Sequence, residues 1–239
     1  MSYSSKLLDK RTIAHETMAF EFEKPPGFDF LPGQYLDLKA INPNFTDSQG
    51  ISRDFSIASA PDEKNLLIVT RLRNTPFKDF LKKAPPGTAF QIKGPSGSFV
   101  LSNESARPIV LITGGIGVTP FRSMAVHAAR KGLSHRIFLF YANRRPEDAA
   151  FLDEFNNLQL ATNNFKLVAT MTKPETSQLK WSGEIGYVKA DMVKKYIDNF
   201  KDAAYYIAGS PGMVQEVWQN LKLAGVPDEN LRTDEFAGY

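Results

Sequence analysis

The sequence predicts two domains, a six-stranded antiparallel β-barrel over residues 1–104 and an α/β domain with a five-stranded parallel sheet over residues 105–239. Two observations support this division. In the first part, short segments of β type are separated by turns rich in proline and glycine. In the second part, apolar strands alternate with helices, which is typical of a parallel sheet covered on both faces.

The barrel is predicted from six short strands and one helix that interrupts them. Turns rich in proline and glycine, such as those at residues 25–27, 32–33 and 85–87, separate the strands. Strands at this spacing favour a small antiparallel barrel. The predicted strands are residues 6–14, 17–22, 35–40, 53–57, 66–71 and 90–93, the helix is 76–83, and residues 102–108 are the predicted linker.

The parallel sheet is predicted from five strands, at residues 109–113, 137–142, 166–172, 204–208 and 231–236, with helices at 121–130, 147–157, 190–199 and 213–224. Ligands bind such sheets beyond the carboxyl ends of the strands. Two of these ends are glycine turns, at 114–117 and 209–212. Small residues let the backbone approach a ligand, and the free N–H groups of a helix start attract anions. Thr119 is the expected N-cap and Pro120 the expected first helical residue.

Composition excludes several classes of site. The sequence has no cysteine, which rules out disulfides and cysteine-ligated iron–sulfur clusters within it. Its three histidines are scattered, so no metal site is expected. The net charge of +3 is too small to indicate nucleic-acid binding. No apolar run is long enough to span a bilayer, and the first residues lack a signal-peptide core. A cytoplasmic monomer is expected.

The segment Arg53-Asp54-Phe55-Ser56 is a second candidate ligand site, located in the barrel. Arg53 and Phe55 lie two residues apart and therefore share one face of a strand. An arginine can fork onto a pyrophosphate, and a phenylalanine can stack on a flat ring system. Ser56 could donate a hydrogen bond to a ring nitrogen if the strand bends there. The alternative interpretation is a surface arginine beside a core phenylalanine.

These motifs together resemble the ferredoxin–NADP reductase superfamily of flavoproteins, and they occur in the order of that family over almost the whole chain. The matching segments are PGQY at 32–35, RDFS at 53–56, GPSGSF at 94–99, GGIGVTP at 114–120, YANR at 141–144, GSPGM at 209–213 and EF at 235–236. The resemblance implies an enzyme that binds FAD and takes hydride from NAD(P)H. The electrons would pass to a separate acceptor such as a ferredoxin, a flavodoxin or an oxygenase component.

Two alternatives stay open from the sequence. One is a reductase of small acceptors such as free flavin, quinone or ferric chelates. The other is a non-catalytic flavin-binding module that docks to another protein, against which the intact nicotinamide motifs argue. The sequence offers no readable acceptor pocket that would separate the first alternative from a reductase of protein acceptors.

The resemblance also implies roles for individual residues. Catalytic roles fall on Ser56, Glu235 and Phe236, with Phe236 as the stacking cover of the flavin and Tyr239 as a second candidate for that cover. Flavin contacts fall on Arg53, Phe55, Ser56, Ile57, Ile68, Thr70, Arg71 and Lys78, with Lys78 standing where the family usually has Ser or Thr. Coenzyme contacts fall on Gly114, Gly115, Gly117, Thr119, Pro120, Asn143, Arg144, Gly209, Ser210, Pro211 and Met213.

Arginines after the second strand of the parallel sheet bear on the choice between NADH and NADPH. Arg144 and Arg145 are placed to meet a 2′-phosphate, and Lys173, after the third strand, could assist. The alternative for Arg145 is a solvated surface charge. NADPH is the slightly favoured coenzyme.

Overall fold

The computed structural model describes residues 1–102 and 107–236, and these residues form two six-stranded sheets. The first sheet is antiparallel, in the order β4-β3-β6-β1-β2-β5. This confirms the predicted barrel. Its elements are β1 (Ser2–Ala14), β2 (Thr17–Phe22), β3 (Tyr35–Ala40), β4 (Ser52–Ser56), β5 (Leu66–Arg71), α1 (Pro76–Lys83) and β6 (Ala89–Ser96).

Alternating side chains of the barrel strands fill its interior. Leu7, Phe20, Phe22 and Phe90 are fully or almost fully buried there, because strand residues two apart point to the same face. Strands β4 and β5 are the two edges of the sheet. The chain just after β4 joins them, since the Ala58 N–H donates to the Leu67 carbonyl at 2.8 Å.

The second sheet is parallel throughout, in the order β10-β9-β8-β7-β11-β12, with helices on both faces. Its central strands are wholly buried, which explains their continuous apolar sequence. The elements are β7 (Ile109–Gly114), α2 (Thr119–Arg130), β8 (Ile137–Asn143), α3 (Leu152–Ala161), β9 (Phe165–Met171), β10 (Glu184–Ile185), α4 (Ala190–Lys194), β11 (Ala204–Gly209), α5 (Pro211–Leu223) and β12 (Leu231–Glu235).

Four local features differ from the sequence prediction. The sheet has a sixth strand, β10, whose two residues are too few for a periodic signal. The predicted helix 147–157 is divided, because Phe151 adopts a left-handed backbone (φ 62°) between a 3₁₀ turn at Pro146–Asp148 and α3. The predicted helix 190–199 is helical only over α4.

The start of α2 is the fourth difference. A 3₁₀ turn at Gly115–Val118 leads into the helix, so Val118 is the N-cap and Thr119 is already helical. The Thr119 hydroxyl donates to the Ile116 carbonyl at 3.2 Å. The glycine turn is therefore a 3₁₀ helix rather than an irregular loop.

The predicted domain boundary at residues 104/105, and most of the predicted linker, lie outside the described residues. On the barrel side of that point, Ser102 is tied to the α/β domain. Its N–H donates to the Tyr206 hydroxyl at 3.0 Å, and its carbonyl lies 2.9 Å from His135 Nε2. In the part of the chain that the structure describes, no helix has the length and apolar character needed to cross a bilayer.

Arg122 of α2 joins the two domains. Its guanidinium forms a two-pronged pair with Glu154 of α3 at 2.7 and 2.9 Å. The same group donates to Glu63 and to the Ala58 carbonyl, both of the barrel, at 2.9 and 2.8 Å. The Arg122 side chain is only 9% exposed, so these bonds are largely shielded from water.

Apolar packing reinforces this junction. Ile116 of the glycine turn packs against a buried barrel cluster formed by Ala19, Ala58, Leu67 and Val69. Gly33 of the PGQY segment lies so close to α2 that a Cβ there would stand 2.2 Å from the Phe99 carbonyl oxygen and 2.5 Å from Met124 Cε. A glycine is required here by the Phe99 backbone and by the positive φ of 102°, whereas the end of the flexible Met124 side chain could move.

We expect Arg122→Ala to lower the free energy of unfolding by about 2–3 kcal/mol, because it removes the bonds of a nearly buried guanidinium to Glu63, Glu154 and the Ala58 carbonyl. Arg130→Ala is the matched control on the same helix. Arg130 pairs with Asp62 at the surface, and its loss should change stability by less than about 1 kcal/mol. Denaturant unfolding of both variants measures the difference, and equal effects would contradict a special role for Arg122.

Candidate active site

Two glycine turns meet at the carboxyl ends of β7 and β11. A Cβ on Gly117 would stand 2.6 Å from the Ala208 carbonyl oxygen and 2.9 Å from Gly209 Cα. Such contacts with backbone atoms leave no room for a side chain. The structure therefore brings together the turns that the sequence places at 114–117 and 209–212.

The end of β12 joins these turns. The Phe236 N–H donates to the Gly209 carbonyl at 2.9 Å, and Phe236 is half-buried against the core on the α2 side of the sheet. Met213 Sδ lies beside both turns, 2.8 Å from a Cβ built on Gly209 and 3.8 Å from one built on Gly114. Glu235 is exposed at the same edge. Tyr239, the other candidate for the flavin cover, lies outside the described residues.

Buried polar atoms at this edge lack protein partners. Both amide atoms of Asn143, at the end of β8, and the hydroxyl of Thr113, at the end of β7, are buried without a hydrogen bond among the described residues. Leaving such groups unpaired is unfavourable, so they are suited to a polar ligand. Their position at the carboxyl edge of a parallel sheet is where dinucleotides bind in this kind of fold.

On the barrel side, Arg53 is held by a segment that the sequence motifs do not include. Its guanidinium donates to Asp47 Oδ2 at 2.6 Å and to the carbonyls of Gln49, Gly50 and Ser52 at 3.1, 3.1 and 2.6 Å. We call residues 42–50 the Asp47 loop. Backbone N–H groups of Gln49 and Phe77, with Arg53, hold the pKa of Asp47 below its usual value.

Four cations form one cluster beside the start of α1. Arg53 of β4, Arg71 of β5, Arg73 after β5 and Lys78 of α1 come together, and we call them the cation cluster. Burial, followed by the charges of Arg73, Arg53 and Arg71, lowers the pKa of Lys78. Mutually repelling cations at a helix N-terminus fit a polyanion such as a pyrophosphate.

The remaining flavin-site predictions differ in how accessible their side chains are. Ile57 and Ile68 are fully buried in the barrel core. Phe55 is 9% exposed and packs 6.3 Å from Phe77, centroid to centroid. Thr70 is buried, whereas Ser56 is half-buried at the end of β4. Their contacts with a flavin stay predictions.

A cleft of about 240 Å³ opens between the domains next to the cation cluster. Four of its lining residues are cations that the sequence analysis assigns to cofactor binding: Arg71, Arg144, Arg145 and Lys173. His15, Glu16, Asp148 and Thr176 complete the lining. Arg71 belongs both to this cleft and to the cation cluster, so the two sites are continuous.

Arg145 and Arg144 differ in whether their side chains are available to bind an anionic ligand. Arg145 forms a two-pronged pair with Asp148 at 2.9 and 3.1 Å, which lowers the pKa of Asp148 below its usual value despite burial. Arg144 is exposed, and its carbonyl accepts from the Lys173 N–H at 2.9 Å, so the two side chains are anchored close together. The structure thus favours Arg144 over Arg145 as a contact for an anionic ligand.

Two family models match the chain in the order of its domains. An oxidoreductase FAD-binding domain matches residues 4–101, and an oxidoreductase NAD-binding domain matches residues 111–219. The chain belongs to the ferredoxin–NADP reductase-like superfamily. Its two parts are an FAD-binding and an NAD-binding oxidoreductase domain, with FAD and NAD(P)H as cofactors. The cation cluster and the paired glycine turns fit these two groups.

The chain resembles several known proteins. One subunit of the Na⁺-translocating NADH-quinone reductase of Haemophilus ducreyi is 29% identical over 203 residues, 79% of this chain and 49% of that protein. The chain thus spans about half the length of this relative. Ferredoxin–NADP reductase B of Sorangium cellulosum is 29% identical over 198 residues, 81% of this chain and 78% of that protein.

A solved structure supports the same fold. The ferredoxin NADP⁺ reductase from Neisseria gonorrhoeae with bound FAD and NADP superposes with a TM-score of 0.80. The alignment covers 98% of each chain at 18% identity. At that identity the likeness shows the fold alone.

Three charged residues of the candidate site and the domain junction are not predicted from the sequence. Arg73 lies two residues after Arg71, so an extended continuation of β5 would have placed both on one face. Asp47 and Arg122 gave no local signal, because each acts through a partner from another element.

Gly117→Ala should destabilise the protein by about 1–3 kcal/mol, because its Cβ would press on backbone atoms of the neighbouring turn. Gly212→Ala is the matched control, since a Cβ there meets nothing within 4 Å and the residue lies in the first turn of α5. The control should be neutral or stabilising by up to about 1 kcal/mol. Thermal unfolding compares them, and a neutral Gly117→Ala would show that the turns are not in close contact.

Asp234 predicts a pH dependence of stability. Burial raises its pKa from 3.8 to about 6, so the folded state holds a proton that the unfolded state releases between these values. The protonated Asp234 carboxyl contributes to the free energy of unfolding at low pH, and this contribution is lost as the pH rises through about 6. Asp234→Asn should therefore stabilise by about 1–2 kcal/mol near neutral pH, after allowance for partial exposure.

The stabilising effect of Asp234→Asn should shrink as the pH is lowered towards about 4. Thermal unfolding from about pH 4 to about pH 8 measures this trend. A constant effect over the whole range would mean that the carboxyl titrates normally.

Proposed function

We propose that this reductase takes hydride from NADPH at the glycine turns and passes electrons to a separate redox protein. The observation that supports the proposal most is the packing of Ile116, in the glycine turn, against a buried barrel cluster that includes Ala58, two residues beyond the flavin motif at 53–56. This packing brings the candidate coenzyme turn against the part of the barrel that follows the candidate flavin strand. When bound, FAD supplies the chemistry that accepts a hydride and releases electrons.

In this proposal the chain's own residues bind and orient the two cofactors. The cation cluster neutralises the flavin pyrophosphate, and the Ser56 hydroxyl hydrogen-bonds the flavin ring. The two glycine turns admit the nicotinamide, with Thr119, Pro120, Ser210 and Pro211 along its path. Phe236 would cover the flavin ring and would have to move aside for the nicotinamide. Glu235, exposed at the same edge, serves proton exchange with water.

The proposed acceptor is a small acidic redox protein such as a ferredoxin or a flavodoxin. A net charge of +3 complements such a partner, and one relative is named a ferredoxin–NADP reductase. A cytoplasmic location and a monomeric state stay predictions from the sequence.

Acceptor assays test this proposal directly. The FAD-loaded reductase is supplied with NADPH and, in turn, ferredoxin, flavodoxin, a quinone, free flavin and a ferric chelate. We expect kcat/KM to be highest for one of the two proteins and to fall with added salt, because exposed charges steer the encounter. A higher kcat/KM for a small acceptor, without salt dependence, would favour the alternative function.

Coenzyme preference is tested with Arg144→Ala. Loss of a charge-assisted contact with the 2′-phosphate should lower kcat/KM for NADPH by about tenfold or more, with much less effect on NADH. Arg145→Ala is the matched control, because Arg145 is paired with Asp148 and should discriminate less. Equal losses for the two coenzymes in Arg144→Ala would remove the argument for NADPH.

A further inference from the structure

The start of helix α1 is already occupied by groups of the protein itself. Its N-cap is Thr75 and its first residue is Pro76, which has no N–H. The next N–H, of Phe77, donates to Asp47 Oδ2 at 3.3 Å, and that of Lys78 donates to the Thr75 hydroxyl at 3.3 Å. The N–H groups that would bind a phosphate at this helix end are therefore satisfied within the chain.

Asp47 also engages the arginine of the flavin motif. The same oxygen that accepts from Phe77 lies 2.6 Å from an Arg53 terminal nitrogen. The Asp47 side chain is only 5% exposed, and that of Arg53 17%. A shielded carboxylate that meets both an arginine and a helix N-terminus makes the contacts that a phosphate oxygen would make there.

The rest of the Asp47 loop holds this carboxylate in place. Phe45 packs on Phe80 and Phe77 of α1, with ring centroids 5.3 and 6.2 Å apart. The Gln49 N–H donates to the other Asp47 oxygen at 2.9 Å, and the Gly50 N–H donates to the Asp47 carbonyl at the same distance. The loop is thus a folded cap over the start of α1.

We propose that Asp47 is an internal anion that occupies the phosphate-binding donors of the FAD site and is displaced when FAD binds. This inference rests on the proposed function, since it assumes that Arg53 and α1 receive the flavin pyrophosphate. Asp47 carries one negative charge and contacts one member of the cation cluster. A pyrophosphate carries two and can engage Lys78, Arg71 and Arg73 as well, so displacement is favourable, but the affinity for FAD is lower than an open site would give.

Binding of FAD and of ADP to the apoprotein tests the proposal. ADP carries the pyrophosphate without the flavin ring and isolates that contact. For Asp47→Asn and Asp47→Ala we expect the Kd for FAD and for ADP to fall by about tenfold, because the competing charge is gone. The melting temperature of the apoprotein should fall at the same time, because Arg53 loses its partner.

Asp79→Asn is the matched control. Asp79 is an exposed acid in the first turn of the same helix, and its removal changes the net charge equally. It should shift the Kd for FAD by less than twofold to threefold, as expected for a solvated charge near a helix end. If Asp79→Asn increased the affinity for FAD as much as the Asp47 variants do, the effect would come from net charge alone, and the proposal would be overturned.

A rise in the Kd for FAD and ADP in the Asp47 variants would also overturn the proposal. If Asp47 merely orients Arg53 for FAD, both Asp47 variants should bind FAD and ADP more weakly than the wild type.

Hydrogen exchange tests displacement of the Asp47 loop on the wild-type protein, without any substitution. Saturation with FAD should speed exchange in residues 42–50, and slower exchange there would contradict displacement. A wild-type protein that binds neither FAD nor ADP would instead contradict the proposed function itself.

Discussion

Arg122 connects helix α2 to the barrel and to α3 through five hydrogen bonds in a shielded position. Because α2 begins at the glycine turn, this anchor sets where that turn lies relative to the barrel. Ala58, which accepts one of the bonds, follows the flavin motif and also joins the barrel edges. The position of the cofactor cleft thus depends on one guanidinium at the domain junction.

The charges of the candidate site favour an anionic ligand. The cation cluster and the cleft beside it share Arg71, which gives a continuous positive surface from the start of α1 to Arg144. Acids compete with a ligand at two points, Asp47 on Arg53 and Asp148 on Arg145. Which cations are free for a phosphate is therefore decided by neighbouring carboxylates as much as by the cations themselves.

Much of the fold and part of the site could be predicted from the sequence, because the necessary signals are local. A strand that ends in glycines and is followed by a helix can be recognised at 109–130 without any tertiary information. The pairing of the two glycine turns also follows, since parallel strands end at one edge of the sheet. The two-residue strand β10 and the 3₁₀ turn before α2 lack a periodic pattern, so the sequence does not predict them. Arg122 and Asp47 depend on contacts 64 and 30 residues apart, which no local pattern encodes.

The proposed reaction requires that a flavin bound by the barrel lie within hydride-transfer reach of a nicotinamide at the glycine turns. Anaerobic mixing of the FAD-loaded protein with NADPH or NADH, followed by flavin absorbance in a stopped-flow instrument, tests it most directly. We expect a stoichiometric amount of coenzyme to reduce the flavin and bleach its absorbance band within a single turnover. A flavin that stays oxidised with saturating amounts of both coenzymes would contradict it.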